Sequence, residues 1–307
     1  MSASTQLTIA VVGDVHDQWS PEDEQALVSL GVDLVLFVGD FGNESLTVVS
    51  QVAALPLPKA VVLGNHDAWY TATPWGQKKA PYDRSCEDRV QRQIDLLGTA
   101  HVGYAARDFP NFNLAVVGGR PFSWGGPKWQ NRDFYQERFG VNGFSESATQ
   151  IVNAARQVRR RTLILIGHNG PSGLGSEPED ICGKDWQPVG GDFGDPDLAQ
   201  AIAELRQAGC SIPLVTFGHM HHRLRHTKSR LRTQFKKDAQ GTIFLNAAAV
   251  PRIVEDGTGR RRRRNFSLVT LTEGQVSHCS LVWVNDFGEI LDMHAYYPLG
   301  APDASSA

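Results

Sequence analysis

Runs of aliphatic residues, each closed by a glycine, recur along the chain as far as Gly218. Uninterrupted runs of this kind are typical of strands that are covered on both faces, as in α/β sheets. The pattern therefore predicts five central strands, at 7–12, 34–38, 60–63, 163–166 and 214–217.

Mixed polar and apolar segments between these runs predict helices at 21–30, 44–55, 145–161 and 196–208. Proline stands at the first turn of two of them, where its missing N–H costs nothing. Gly209 would end the last helix. Strands that alternate with helices in this way predict a layered α/β fold.

The pattern changes after Gly241 and becomes rich in strand signals alone. Strands are predicted at 242–245, 266–271 and 280–284, with turns between them. We expect these strands to be antiparallel and to complete a second sheet.

Two long stretches without a regular pattern, 118–143 and 170–196, interrupt the core. Such stretches are either lids and binding loops or merely mobile insertions. We assign residues 1–300 to a single domain with these two insertions, and residues 301–307 to a loose tail.

Composition and charge limit the classes of function. Of the 307 residues, 41% are hydrophobic and 21% are charged, which argues against fibrous and disordered classes. The formal net charge of -3 gives the whole molecule no excess that would attract polyanions. Four scattered cysteines and the lack of a secretory leader predict a cytoplasmic protein without a membrane partner. The sequence does not define an oligomeric state.

Chemically active side chains follow each of the five glycine-ended runs. Ligands of α/β sheets bind beyond the carboxyl ends of the strands, so five adjacent strands would bring these side chains to one edge. Singly each signal is weak, because Asp40 could cap a helix and Asn65 could belong to a turn. Burying all of them without a partner would be costly, and a metal centre is the economical partner.

The donor types indicate which metals would bind. Oxygen and imidazole donors without thiolates suit Mn, Fe, Zn or Ni. In extended backbone, residues two positions apart, such as Asp14 and His16, would project to the same side. Two ions sharing Asp40 would leave a net positive centre, which favours an anionic substrate such as a phosphate. The candidate ligands are Asp14, His16, Asp40, Asn65, His168, His219 and His221.

The ordered motifs resemble those of the calcineurin-like metallophosphoesterase superfamily. They read Asp-x-His, Gly-Asp, Gly-Asn-His-Asp, His and Gly-His-x-His between residues 13 and 221. The resemblance implies a four-layer α/β/β/α double β-sandwich. It also implies two metal sites that share Asp40. The first would comprise Asp14, His16, Asp40 and His221, and the second Asp40, Asn65, His168 and His219.

The same resemblance implies a mechanism, in which a metal-bridging hydroxide attacks phosphorus in line. His66 would be the general acid, and Asp67 would orient it. The chain lacks the Asp-Arg-Gly motif and the later Glu of protein Ser/Thr phosphatases, which favours a small-molecule or nucleotide phosphoester. Segments 168–171 and 119–127 are similar to a subgroup found in cyanobacteria and plant plastids.

Substrate contacts are expected near the motifs. Arg120 and Trp124 in the first long stretch could grip a phosphate and stack on a ring, and Asn43 follows the second motif. The alternative is that the tryptophans pack the loop and the charges are solvated. We expect at least one arginine near the metals.

The segment from Arg223 to Arg264 is basic, with thirteen Lys and Arg residues against three acids. It could bind nucleic acid. It could instead form a solvated hairpin with its tip at 256–259, the interpretation we favour. The main hypothesis is therefore a dinuclear metal-dependent phosphoester hydrolase. The alternative is a nucleic-acid-binding protein or a nuclease, with a purely structural metal centre in the non-enzymatic version.

Overall fold

The computed structural model describes residues 6–255 and 262–298. The strands are β1 (Gln6–Val12), β2 (Leu34–Phe37), β3 (Lys59–Val61), β4 (Ala106–Phe109), β5 (Leu114–Gly118), β6 (Thr162–Ile166), β7 (Ser211–Phe217), β8 (Phe235–Lys237), β9 (Ile243–Asn246), β10 (Ile253–Glu255), β11 (Arg262–Thr272), β12 (Gln275–Val284) and β13 (Ile290–Tyr297). The predicted hairpin tip at 256–259 and the predicted tail at 301–307 lie outside the described residues.

The α-helices lie mainly between the strands of the first two-thirds of the chain. They are α1 (Pro21–Ser29), α2 (Leu46–Ala54), α3 (Trp69–Ala72), α4 (Pro74–Gln77), α5 (Arg89–Leu97), α6 (Arg132–Phe139), α7 (Phe144–Gln157) and α8 (Pro196–Gln207). Short 3₁₀ turns occur at Asn65–Ala68, Gly98–Ala100 and Pro110–Phe112.

Two sheets pack face to face around a shared apolar core. Within the described chain, one sheet has the strand order β13-β12-β11-β1-β2-β3 and the other has the order β4-β5-β6-β7-β9-β8. Ile9 and Leu36 of the first sheet and Ile164 and Leu214 of the second belong to one buried cluster. Side chains alternate along a strand, so the neighbouring residues must face away from this core.

Helices cover the outer face of each sheet. Val35 and Phe37 of β2 pack in one cluster with residues of α1, α2 and α5. Leu163 and Leu165 of β6 pack in another cluster with residues of α7 and α8. The layers are therefore helices, sheet, sheet and helices, which confirms the predicted fold class. The assignment of residues 1–300 to one domain stays a prediction.

The topology corrects two expectations. Of the late strands, the one predicted at 242–245 does join the second sheet as β9, but it runs parallel to β7 and not antiparallel. The other two, β11 and β12, belong to the first sheet, because β11 pairs antiparallel with β1 and is followed in that sheet by β12 and β13. The five glycine-ended strands are not neighbours in one sheet. β1, β2 and β3 belong to the first sheet, whereas β6 and β7 belong to the second. The predicted edge is therefore a seam between the ends of two sheets.

Several elements differ from the predicted pattern. β5 lies in one of the aliphatic, glycine-ended segments but was not predicted. The first long stretch contains α6, whose sequence RDFYQERF is too polar to show an apolar face. In the described chain no helix combines the length and apolar character that crossing a bilayer requires. The four cysteines are free thiols.

Candidate metal centre

The loops that follow the central strands are joined to one another by backbone hydrogen bonds. The amide of His16 donates to the carbonyl of Asp40 at 2.8 Å, and the amide of Gly218 donates to the carbonyl of His168 at 2.8 Å. The amide of His219 donates to Asp14 Oδ2 at 2.9 Å, which connects the second sheet to the first. The seven predicted ligands therefore converge on one site.

One group of ligand atoms surrounds Asp14. His221 Nε2 lies 3.3 Å from Asp14 Oδ1, and His16 Nε2 lies 3.2 Å from His221 Nε2. His16 Nε2 also lies 4.0 Å from Asp40 Oδ2. The ligand atoms of Asp14, His16 and His221 all lie within 4.8 Å of one another. This spacing is compatible with a single cation between them.

A second group lies on the other side of Asp40. His168 Nε2 is 3.3 Å from Asp40 Oδ1 and 2.9 Å from Asn65 Oδ1. His219 Nδ1 is 2.9 Å from the same Asn65 oxygen. Asp40 thus presents one oxygen to each group, as a carboxylate shared by two cations would.

The donors fit the two metal ions that the sequence predicted. Asp14, Asp40, Asn65 and His168 are at most 3% exposed, so their polar atoms are withdrawn from water. Buried carboxylates and imidazoles without thiolates are a donor set for Mn, Fe, Zn or Ni. Among the described residues no Lys or Arg pairs with either carboxylate, so bound cations would supply the missing charge.

The backbone presents these ligands from tight left-handed turns. Asp14, His16, Asp40 and His219 have φ values of 50°, 45°, 57° and 67°. The expectation that Asp14 and His16 project from extended backbone is therefore wrong. Residues other than glycine adopt such φ values rarely, and they concentrate at functional sites.

Glycines allow the turns of the first sheet to approach one another closely. A Cβ on Gly64 would lie 2.3 Å from Asp40 Oδ1, and one on Gly39 would lie 2.6 Å from the amide of Gly64. A larger residue at Gly64 would displace the shared carboxylate, and one at Gly39 would displace the Gly64 backbone and the His168 ring. The glycines that end these strands are thus required by the site itself.

Neighbouring charges perturb the protonation of the ligands. Burial acts to raise the pKa of Asp40, but the charge and hydrogen bond of His168, together with the charges of His66 and His16, hold that pKa well below its usual range. Burial acts to lower the pKa of His168, but the charge and hydrogen bond of Asp40, together with the charge of Asp14, raise it to about 9. Burial lowers the pKa of His219 to about 3, and the charge of His168 adds to the effect. His219 is therefore neutral and ready to bind a cation at neutral pH.

His66 lies at the edge of both groups. Its Nδ1–H donates to Asn43 Oδ1 at 2.6 Å, and its ring stacks on Trp69 with centroids 4.7 Å apart. The His66 and His16 rings are 5.0 Å apart. Burial lowers the pKa of His66, although the charge of Asp40 opposes this shift. Two contacts thus fix the orientation of this imidazole.

The partner of His66 corrects the sequence analysis. Asp67 was expected to orient His66, but its carboxylate accepts hydrogen bonds from the amides of Asp40, Phe41 and Gly64 at 2.7–2.9 Å. Asn43, expected to bind substrate, takes the orienting role instead. A carboxylate among three convergent amides is anchored by the backbone, so Asp67 shapes the turn that carries the shared carboxylate.

Arg120 also differs from expectation. Its Nε donates to Asp197 at 2.9 Å and its Nη2 donates to Asp195 at 2.8 Å, and the residue is 3% exposed. The guanidinium packs 4.9 Å from the centroid of Trp129. Two internal carboxylates occupy this cation, so it cannot also grip a substrate phosphate.

A cavity of about 520 Å³ opens beside the ligands. Trp124 lines it, as expected for a substrate contact, and stacks on Trp69 with centroids 5.3 Å apart. The same cavity is also lined by Trp69, Trp186 and Arg225, which the motif pattern does not identify. Trp69 lies three residues after His66, and Trp186 lies in the second long stretch. Aromatic residues so close to motif residues were the signal available.

The second long stretch is fixed by Arg232. The Arg232 guanidinium donates to the carbonyls of Pro178, Asp180 and Gly183 at 2.6–3.1 Å, and to that of His221 at 3.0 Å. Arg232 therefore connects residues 178–183 of the second long stretch to the segment that carries the candidate ligand His221. This arrangement favours a fixed wall of the cavity over a loose insertion.

The basic segment is not a continuous charged patch. Arg232, Arg252 and Arg264 are buried, and each pairs with an aspartate. Arg260 and Arg261 lie outside the described residues. A surface that binds nucleic acid needs exposed cations on one face, so the buried arginines weaken that alternative.

Comparisons with known proteins agree with this architecture. A family model described as calcineurin-like phosphoesterase matches residues 7–223. The structure of a protein from Thermus thermophilus, TT1561, matches with a TM-score of 0.51 and 11% identity, over 92% of this chain and 100% of that chain. A dimetal phosphatase from Danio rerio matches with a TM-score of 0.46 and 12% identity, over 94% and 98% of the two chains. At such low identity, the likeness to TT1561 shows the fold alone. The search of curated proteins gave no match.

Proposed function

Because the chain belongs to the calcineurin-like phosphoesterase family, we propose that it hydrolyses a phosphoester with two metal ions held at the seam between its sheets. The observation that carries this proposal is the position of Asp40, whose two oxygens face separate groups of imidazole and carboxylate donors. The substrate we propose is a small-molecule or nucleotide phosphoester. A cytoplasmic location stays a prediction.

The ligands divide into two sets. Asp14, His16 and His221 would hold one ion, and Asn65, His168 and His219 the other, with Asp40 shared. When bound, the two ions activate water as a nucleophile and stabilise negative charge on the phosphoryl oxygens. Mn, Fe, Zn and Ni all suit these donors.

His66 provides the proton for the leaving group. Hydrolysis forms a bond from the oxygen of water to phosphorus and breaks the bond from phosphorus to the ester oxygen, which leaves as an alcohol. Since Nδ1 of His66 is engaged by Asn43, Nε2 is the atom free to give that proton. A positioned general acid is worth roughly 10²–10⁴-fold in rate.

The test begins with protein stripped of metal and reconstituted separately with Mn, Fe, Zn and Ni. Metal content is measured beside hydrolysis of an aryl phosphate and its bis-aryl ester, which also separates monoesterase from diesterase activity. We expect two ions per chain and turnover that returns with metal. Two bound ions without turnover on any ester would instead favour a binding protein with a structural metal centre.

His66→Ala sharpens this test. We expect the variant to keep both ions and to lose most turnover on an alkyl phosphoester, whose leaving oxygen needs a proton. Turnover of an aryl ester, whose leaving group is acidic and needs no proton, should fall much less in this variant. Unchanged turnover of the alkyl ester would refute the assignment of His66.

A further inference from the structure

The cavity beside the metal ligands is larger and more varied than a phosphate needs. Its floor includes Asp40, Asn65 and His219, and its volume of about 520 Å³ is that of a site for a complete small molecule. The rest of the substrate must therefore match the chemistry of the cavity walls.

Three tryptophans form much of these walls. Trp69 and Trp124 lie nearly parallel, with an angle of 25° between their planes, and Trp69 continues the stack onto His66. Trp186 lines the cavity from the second long stretch and is held at its edge by Phe193, with centroids 4.6 Å apart. All three tryptophans are only half-buried. Trp69 already stacks on both Trp124 and His66, so the rings left for a substrate are those of Trp124 and Trp186. Indole rings left accessible in a cavity are suited to stacking on a flat ring of the substrate.

Two cations share the cavity with these rings. Arg223 and Arg225 are exposed and line it just beyond the ligand His221. In the described part of the chain neither guanidinium has a carboxylate partner, unlike the paired Arg120 and Arg232. These cations are therefore available to an anionic group of the ligand.

The part of the cavity wall that carries Trp186 and Arg225 is held in place by contacts within the protein, without a ligand. The Arg225 guanidinium lies 5.3 Å from the centroid of Trp186, and its backbone amide donates to Asp185 Oδ2 at 2.8 Å. Asp185 in turn pairs with the buried Arg232 at 3.3 Å. The ring and the charge are thus fixed to the segment that carries His221.

We propose that the substrate is a nucleotide with two phosphate groups, of which one is hydrolysed at the metal ligands. The base lies against the tryptophan walls, and the second phosphate binds Arg223 and Arg225. This inference rests on the proposed phosphoesterase function and narrows its substrate class. Trp186 and Arg225 are the residues that set the specificity.

The experiment compares kcat/KM on four probes with the metal-loaded full chain. The probes are ribose 5-phosphate, adenosine monophosphate, adenosine 5′-diphosphate and adenosine with phosphates on both its 3′ and 5′ oxygens. We expect the monophosphate to exceed ribose 5-phosphate by on the order of tenfold, through stacking. We expect at least one doubly phosphorylated probe to exceed the monophosphate by a similar factor.

Substitutions show which residues produce the higher kcat/KM expected from the base and from the second phosphate. Trp186→Leu should raise KM for every adenosine probe about tenfold and should raise KM for ribose 5-phosphate much less. Arg225→Gln should abolish the preference for a second phosphate and should not change the preference for adenosine monophosphate over ribose 5-phosphate. Trp283→Leu, at a half-buried tryptophan of β12, and Arg159→Gln, at an exposed arginine, are matched controls that should change neither preference.

The outcomes separate this inference from the function on which it rests. If aryl phosphates are hydrolysed but adenosine monophosphate is no better than ribose 5-phosphate, the nucleotide inference is overturned and the hydrolase stands. If neither doubly phosphorylated probe exceeds the monophosphate, the role of the two arginines is overturned. If no ester is hydrolysed, the proposed function fails first.

Discussion

Two regions of this molecule bury charged groups, and they neutralise them differently. Near α1, Asp23 is fully buried, and its two oxygens pair with Arg252 at 2.8 Å and Arg264 at 2.9 Å. At the seam between the sheets, Asp14 and Asp40 are equally withdrawn from water but face only imidazole and amide groups.

The difference concerns where the balancing cation comes from. In the α1 cluster, which comprises Asp23, Arg252 and Arg264, guanidinium groups of the chain balance the buried carboxylate. This region therefore contributes to the stability of the fold. At the metal centre no guanidinium faces the two carboxylates in the described chain, and only protonated imidazoles such as His168 can balance them until a cation binds. The same cost of burying a carboxylate thus produces structure in one place and a binding site in the other.

The largest effect should follow from removing the carboxylate that serves both ligand groups. Asp40→Asn keeps the shape but lowers the charge facing two cations, so we expect loss of at least one bound ion. Turnover should fall on the order of 10³-fold or more. Metal analysis beside a steady-state assay checks this, with the exposed Asp95→Asn as the matched control. Full metal content with normal turnover would contradict the shared-ligand assignment.

The α1 cluster should respond in stability and not in metal content. Asp23→Asn leaves the buried Arg252 without its carboxylate and leaves Arg264 with Asp286 as its close carboxylate partner. Breaking a buried ion pair in this way typically costs about 3–5 kcal/mol. Urea unfolding measures the loss, and Glu24→Gln on the same helix serves as the control. A loss below about 1 kcal/mol would mean that the two regions do not differ as described.

A smaller effect on turnover is expected from removing the hydrogen bond between Asn43 and His66 beside the metal centre. Asn43→Ala removes the acceptor that holds His66, so kcat for an alkyl phosphoester should fall about tenfold. KM and metal content should hardly change. Asn43→Asp keeps an acceptor at the same place and should restore part of the rate. If Ala and Asp variants are equally slow, Asn43 acts in another way.

His101 is a third case, a half-buried histidine whose Nε2 atom is enclosed and which has no countercharge among the described residues. Its Nε2 has no hydrogen-bond partner among the described residues, and burial lowers its pKa from 6.5 to about 4. Its neutral form is favoured in the folded chain, so its contribution to stability is complete above pH 6.5. That contribution declines as the pH falls towards about 4.

The slope of stability against pH measures this contribution. One proton taken up on unfolding costs at most about 1.4 kcal/mol per pH unit. We therefore expect metal-free His101→Gln to show a shallower decline than metal-free wild type between pH 6.5 and about 4. Parallel curves for the two proteins would show that His101 is not buried as a neutral group.

Much of the site was predictable because its ligands follow strands with a plain aliphatic pattern. Glycine after the strand and a donor after the glycine mark Asp40, Asn65 and His219 without any knowledge of the fold. The role of Asp67 was not predictable in this way. Its carboxylate accepts hydrogen bonds from the amides of Asp40 and Phe41, 27 and 26 residues away, and no local pattern encodes that contact.

The sequence by itself determined the five central glycine-ended strands, the order of the donors and their chemical types, because local apolar patterning and residue identity are properties of neighbouring positions. Only the tertiary structure decided which sheet each strand joined and which partner each charge received. Arg120 and Asp195 lie 75 residues apart and meet only when the layers pack. Such pairs form only where the fold brings distant segments together. The fold therefore decides whether a buried carboxylate pairs with an arginine or remains available to bind a metal ion.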